Sequence, residues 1–85
     1  MTMSEAFTTN ELVDEFKNCL TDISYARAGW DYSMPPHQRA AERDLEQKAK
    51  ARARAIWSEN PAHHDDLRAA FKQTQPLVTM SEIEA

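Results

Sequence analysis

The chain has 85 residues, which is enough for one domain at most. Its hydrophobic content of 41% overstates the available core, because 13 of those residues are alanine and only 13 are Leu, Ile, Val or Phe. The net charge of −4 argues against a dedicated nucleic-acid-binding domain, since such domains are usually strongly basic.

The first predicted helix covers about residues 9–28. Thr8 and Glu11 have the spacing of a capping box, in which each side chain accepts a hydrogen bond from the other residue's backbone N–H. Apolar residues then recur at three- and four-residue spacing, which predicts one buried face. That face consists of Leu12, Phe16, Cys19, Leu20, Ile23 and Ala26. Gly29 is expected to end the helix in the left-handed conformation, which glycine adopts without steric cost.

A connector rich in aromatic residues and proline follows at residues 30–35. Trp30, Tyr32 and Met34 belong to the residue types that are enriched at protein interfaces. The same side chains could instead cover the open end of a small core. The sequence leaves both interpretations open.

The second predicted helix covers about residues 36–58 and is built of strong helix formers. Acidic residues lie mostly in its first half and basic residues in its second, an order that complements the helix dipole. Asp44 with Lys48 and Glu46 with Lys50 are spaced to form ion pairs one turn apart. The predicted buried stripe is Ala41, Leu45, Ala49, Ala53, Ile56 and Trp57.

The third predicted helix covers about residues 61–74, with Asn60 as its N-cap and a proline at its first position. Its apolar stripe is Leu67, Ala70 and Phe71. A tail at 76–85 follows, in which Thr79 and Glu82 are placed to begin a short turn.

These elements predict an all-α fold, which is a small three-helix bundle made of an antiparallel helical hairpin, a shorter third helix and a C-terminal tail. The whole chain, 1–85, is expected to form this single helical domain. The third helix would be about 21 Å long against about 34 Å for the second, because each residue adds 1.5 Å. It is therefore too short to cover the connector end of the hairpin.

The sequence shows no pattern that predicts a catalytic, cofactor or metal site. His63 and Asp66 lie three residues apart on the third helix, but two ligands do not complete a zinc site. Cys19 falls on the apolar face, where a cysteine usually packs as a small core residue. A phosphate-binding glycine loop is excluded by the presence of a single glycine. We therefore expect that the protein is not an enzyme and binds no cofactor.

A basic run at residues 48–54 flanks the alanine seam of the second helix. Its four basic residues could hold phosphates while Trp57 stacks on a base, which would make the protein a nucleic-acid accessory factor. The alternative is an ordinary solvated helix face. We prefer the alternative because the chain as a whole is acidic.

The composition favours a small, non-enzymatic cytosolic regulator or inhibitor, of the kind found among accessory proteins of bacteria and phages, that docks on a larger protein or assembly. A single cysteine suits a reducing compartment, and neither a signal peptide nor a membrane-spanning apolar run is apparent. A self-assembling structural subunit and a nucleic-acid accessory protein are the alternative functions. The candidate partner-binding residues are Trp30, Tyr32, Met34, Lys48, Lys50, Arg52, Arg54 and Trp57.

Overall fold

The computed structural model describes residues 9–29 and 33–84, and these residues form a small all-α bundle without strands. The helices are α1 (Thr9–Gly29), α2 (Pro36–Glu59), α3 (His64–Thr74) and α4 (Met80–Glu84). A single 3-10 turn, Pro61–His63, leads into α3. The predicted fold class is therefore confirmed. No helix of the described ranges combines the length and the apolarity that a membrane crossing requires.

The core lies where α1, α2, α3 and the segment that contains α4 meet. Its least exposed large side chains are Phe16, Leu20, Ile23, Leu67 and Ile83. Five of the six residues predicted on the apolar face of α1 are buried, and the sixth, Leu12, packs against the core from its edge. Two cross-helix ion pairs, Glu15 with Arg52 and Arg27 with Glu46, show that α1 and α2 run antiparallel.

The predicted buried stripe of α2 is wrong at its connector end. Ala49 and Ala53 are buried as expected, but Ala41 is exposed and Leu45 is 40% exposed. Four residues turn a helix by about 400°, so each four-residue step drifts about 40° around its axis. Leu45 thus lies about 80° from Ala53, and Ala41 lies about 120° from it. The buried face of α2 begins at Ala49, and residues 36–48 contribute no buried side chain.

Two predicted helix ends differ from the structure. Gly29 is the last residue of α1 and does not have a positive φ, so the left-handed role predicted for it is wrong. Asn60 does not cap the following helix, because its side-chain amide donates to the carbonyl oxygen of Ile56 at 2.8 Å. The amide therefore satisfies a carbonyl at the end of α2. The predicted cap at Thr8 lies outside the described residues.

The C-terminal tail contains a short helix, α4, where the sequence predicted a single turn. Thr79 and Glu82 begin α4, and the backbone N–H of Thr79 donates to Glu82 Oε2 at 2.7 Å, as in a capping box. Val78 and Ile83 are buried by this arrangement, whereas Leu77 remains 53% exposed. α4 rests on the second half of α2, where Ile83 joins the core.

Candidate protein-binding surface

The basic run of α2 is largely neutralised within the chain. Its ion pairs are Lys48 with Asp44 at 2.9 Å, Lys50 with Glu82 at 3.8 Å, and Arg52 with Glu15. Arg54, the fourth basic residue, lines a cleft between α2 and α4 together with Trp57. Lys48, Lys50 and Arg52 thus already have carboxylate partners, which weakens the case for a phosphate-binding strip.

One of the two ion pairs predicted within α2 is replaced by contacts between helices. Lys48 pairs with Asp44 as expected, but Glu46 pairs with Arg27 of α1 rather than with Lys50. Arg27 Nη2 also donates to Glu82 Oε1 at 2.8 Å, and Arg27 Nη1 donates to the carbonyl oxygen of Leu77. We call the group formed by Arg27, Glu46, Lys50 and Glu82 the Arg27 clamp. It joins α1, α2 and α4 through side chains that are far apart in the sequence.

The electrostatics of the Arg27 clamp keep Glu82 ionised. The hydrogen bond from Arg27 lowers the pKa of Glu82 to about 2, and the backbone N–H of Thr79 adds to this effect. Conversely, the hydrogen bonds to Glu82 and Glu46 raise the pKa of Arg27. α4 is therefore held to the bundle by a carboxylate that stays charged well into the acid range.

Trp57 is a buried core residue that contacts the side chains of His64 and Arg68. It is only 7% exposed, and its ring stacks on that of His64 with 3.7 Å between centroids and 9° between planes. His64 Nε2 lies 2.7 Å from the carbonyl oxygen of Trp57, so Nε2 carries the hydrogen, because a carbonyl can only accept. The guanidinium of Arg68 lies 5.5 Å from the centroid of the Trp57 ring, within cation–π range. Little of the indole face is left for a nucleic-acid base to stack on.

The imidazole rings of His63 and His64 contact different partners. His63 Nδ1 lies 3.7 Å from Asp66 Oδ2, while the ring of His64 is engaged with Trp57. In the part of the chain that the structure describes, His, Cys, Asp and Glu form no group of three or more that would suit a metal ion.

Cys19 is a core residue, as expected from its place on the apolar face of α1. Burial, together with the nearby carboxylate of Glu15, raises the pKa of its thiol to about 11. A thiol with this pKa is protonated at neutral pH and is a weak nucleophile.

Among the described residues, the buried polar atoms without hydrogen-bond partners lie at the connector end. Here α1 and α2 leave an open cleft of about 280 Å³, whose lining residues are Ala26, Arg27, Glu42, Arg43 and Glu46. Beside it, Arg39 Nε and Glu42 Oε2 are buried without a hydrogen-bond partner. Buried polar atoms usually have partners in native structures, so an exception calls for an explanation. The half-exposed Leu45 lies next to this region.

Comparison of the chain with protein-family models, with curated proteins and with solved structures finds no match.

Among the described residues predicted for partner binding, Met34 lies apart from the four bases. Trp30 and Tyr32 lie outside the described residues, and Met34 is half-buried immediately before α2. The four bases lie in the second half of α2, beyond the connector-end cleft. Sequence reasoning missed Arg39 and Glu42, because nothing in their local spacing signals that they lack partners in the folded chain.

Proposed function

We propose that this protein is a small, cytosolic, non-enzymatic regulator or inhibitor that docks on a larger protein through the connector end of α2. The observation that carries the proposal is the contrast between the two halves of this helix. Residues 36–48 contribute no buried side chain, whereas the second half contributes Ala49, Ala53, Ile56 and Trp57. Helical segments of this length are marginal in water without packing, so a helix half that lacks cover is suited to a partner.

The composition of this surface supports a protein as its partner. Leu45 and Ala41 provide apolar area, and charged residues of both signs surround them, which matches the apolar centre and polar rim of protein interfaces. A nucleic acid would instead favour a uniformly basic surface. The ion pairs in the second half of α2 reduce the positive charge available for phosphates.

A matched pair of leucines tests this proposal. Leu45 and Leu77 are both large, exposed apolar residues, 40% and 53% exposed, but only Leu45 lies at the connector end of α2. Tagged full-length chains with Leu45→Asp or Leu77→Asp would be used to capture partners from a lysate of the encoding organism, with quantitative mass spectrometry as the readout. Circular dichroism would confirm that both variants remain helical.

We expect the wild type and Leu77→Asp to capture the same protein, and Leu45→Asp to lose at least about 90% of it, since central apolar anchors dominate interface energies. Equal capture by both variants would refute docking through this surface. Absence of any protein enriched by the wild type would argue against the binding function itself.

A further inference from the structure

The first two turns of α2 carry basic residues where a helix ordinarily carries acidic ones. α2 has no acidic residue in its first turn, and its N-cap is Pro35, whose side chain has no oxygen to accept a backbone hydrogen bond. Arg39 and Arg43 follow instead. The N-terminus of a helix is the positive end of its dipole, so a cation near it is unfavourable unless an anion is also present.

The two guanidinium groups are neighbours, and neither has a counter-charge. Arg39 and Arg43 lie one turn apart on the same side of α2, a spacing at which like charges destabilise a helix. Among the ion pairs of residues 9–29 and 33–84, none includes either arginine. Arg39 Nε is also buried without a hydrogen-bond partner, whereas buried polar atoms in native structures nearly always have one. All three features are relieved by the same event, the binding of an anion.

Both arginines border one open cleft of about 270 Å³ at the beginning of α2. The described residues that line it are two bases and no acid, namely Pro36, Arg39, Ala40 and Arg43. Glu42 lines the other cleft, between α1 and α2. Pro36, Ala40 and Arg43 are exposed, so a solute reaches the cleft directly from solvent.

We propose that this cleft binds a phosphate dianion, either inorganic phosphate or the phosphate group of a monoester, between the guanidinium groups of Arg39 and Arg43. A phosphate monoester carries a charge of about −1.5 to −2 at pH 7 and three acceptor oxygens. Each guanidinium group can hold two such oxygens through paired N–H donors, and the start of the helix adds a partial positive charge of about +0.5. A carboxylate has one negative charge and two oxygens, so it satisfies less of this site.

The phosphate site goes beyond the proposed docking function and lies on another side of α2. At about 100° per residue, Arg43 lies about 160° from Leu45 around the helix axis, and Arg39 lies about 120° from it. The site is also separate from the basic run at 48–54, which begins more than one turn further along the helix. Phosphate binding and partner docking can therefore be tested independently.

Titration of the nitrogen-15-labelled full chain with inorganic phosphate tests the site by NMR. At about pH 7.5 phosphate is mostly dianionic, and replacing chloride by phosphate at constant ionic strength separates binding from screening. We expect saturable shifts of the backbone N–H signals of residues 37–40 and of the Nε–Hε signals of Arg39 and Arg43. The dissociation constant should be about 1 mM or below.

Replacing either arginine should weaken the binding of phosphate. Arg39→Gln and Arg43→Gln should each raise the dissociation constant at least ~10-fold, because a hydrogen bond to a charged group contributes about that factor or more. Arg43 is exposed, so its replacement leaves the core intact. Arg43→Lys keeps the charge but loses the paired donors, and should weaken binding by a smaller factor. Lys72→Gln removes an exposed positive charge from α3 and is the matched control, which should bind phosphate as the wild type does.

A second probe, O-phosphoserine, distinguishes the two sources of the phosphate group. Tighter binding of O-phosphoserine than of inorganic phosphate would identify a monoester as the ligand, and the reverse order would identify the free ion. Acetate should bind more weakly than both, because it carries a single charge.

Three results would overturn the phosphate site. They are the absence of a saturable shift up to about 50 mM phosphate, equal affinity for phosphate and acetate, and wild-type affinity in helical Arg39→Gln and Arg43→Gln. Leu45→Asp should still bind phosphate, so loss of partner capture in that variant would bear on the docking proposal alone.

Discussion

Replacing Glu82 by glutamine should loosen the attachment of α4 without removing its cap. The amide oxygen of glutamine can still accept the backbone N–H of Thr79, as glutamine does in capping boxes. The ion pairs of Glu82 with Arg27 and Lys50 are lost. The substitution therefore isolates the charge of Glu82 from its role in beginning the helix.

The magnitude follows from the shift in the pKa of Glu82. A fall from 4.5 to about 2 corresponds to an upper bound of about 3.5 kcal/mol, at about 1.4 kcal/mol per pKa unit. The side chain of Glu82 is 31% exposed. Solvent screening therefore reduces its stabilising contribution toward the ~1 kcal/mol that is typical of exposed ion pairs. We expect the free energy of unfolding at pH 7 to fall by about 1–2 kcal/mol, between these two bounds.

Urea denaturation of the wild type and of Glu82→Gln, followed by circular dichroism at several pH values, measures this difference. The pKa of Glu82 is lower in the folded chain than in the unfolded chain. Its stabilising contribution is therefore fully present above pH 4.5 and is lost as the pH falls toward 2. The two stability curves should separate at neutral pH and converge in acid.

Glu84→Gln is the matched control on the same helix. Glu84 meets Arg68 at 3.4 Å on the surface, so its replacement should change the free energy of unfolding by less than about 0.5 kcal/mol. Equal stability of Glu82→Gln and the wild type at pH 7 would refute the role assigned to the Arg27 clamp. A difference that stays constant down to pH 2 would show that the charge of Glu82 is not its cause.

Three further substitutions test the buried core and the left-handed residue, Gln75, that ends α3. Leu20→Ala should lower the free energy of unfolding by about 2–5 kcal/mol in urea titrations, because Leu20 is fully buried, and a neutral result would contradict the assignment of the α1 face. The wild type should lose stability as the pH rises from 9 through 11, since the pKa of the Cys19 thiol is raised to about 11 in the fold, and Cys19→Ala should lose less over this range. Gln75→Gly should raise the thermal midpoint, with a gain of about 0.5–1 kcal/mol, because residue 75 has a φ of 48° that glycine adopts without strain; an unchanged or lower midpoint would exclude strain there.

Local sequence patterns correctly predicted the main helices and the buried face of α1. The apolar spacing in α1 identified Phe16, Leu20 and Ile23 as core residues, and the prolines near residues 36 and 61 marked where helical segments begin. Short-range hydrogen bonding and helical periodicity involve only neighbouring residues, so they can be recognised in the sequence. The turn begun by Thr79 and Glu82 belongs to the same class, although its length as a helix was not predicted.

The candidate surface was less accessible to sequence reasoning. The exposure of Leu45 depends on the direction in which α2 meets α1, and a stripe chosen by four-residue steps drifts away from that direction. The unsatisfied atoms of Arg39 and Glu42 appear only when all neighbouring side chains are placed. The sequence placed the connector region among the candidates, but it indicated the aromatic residues there and the bases at 48–54, and not Arg39 and Glu42.

By itself, the sequence determined that this chain is all-α, where its three main helices lie and which side of α1 is buried. Only the tertiary structure decided that Arg27 bonds to Glu46 and Glu82, that α4 closes the core, and that half of α2 lies outside it. The physical reason is the range of the interactions. Helix formation depends on residues up to four positions apart, whereas the Arg27 clamp joins residues 19 and 55 positions apart, which only the packed bundle brings together.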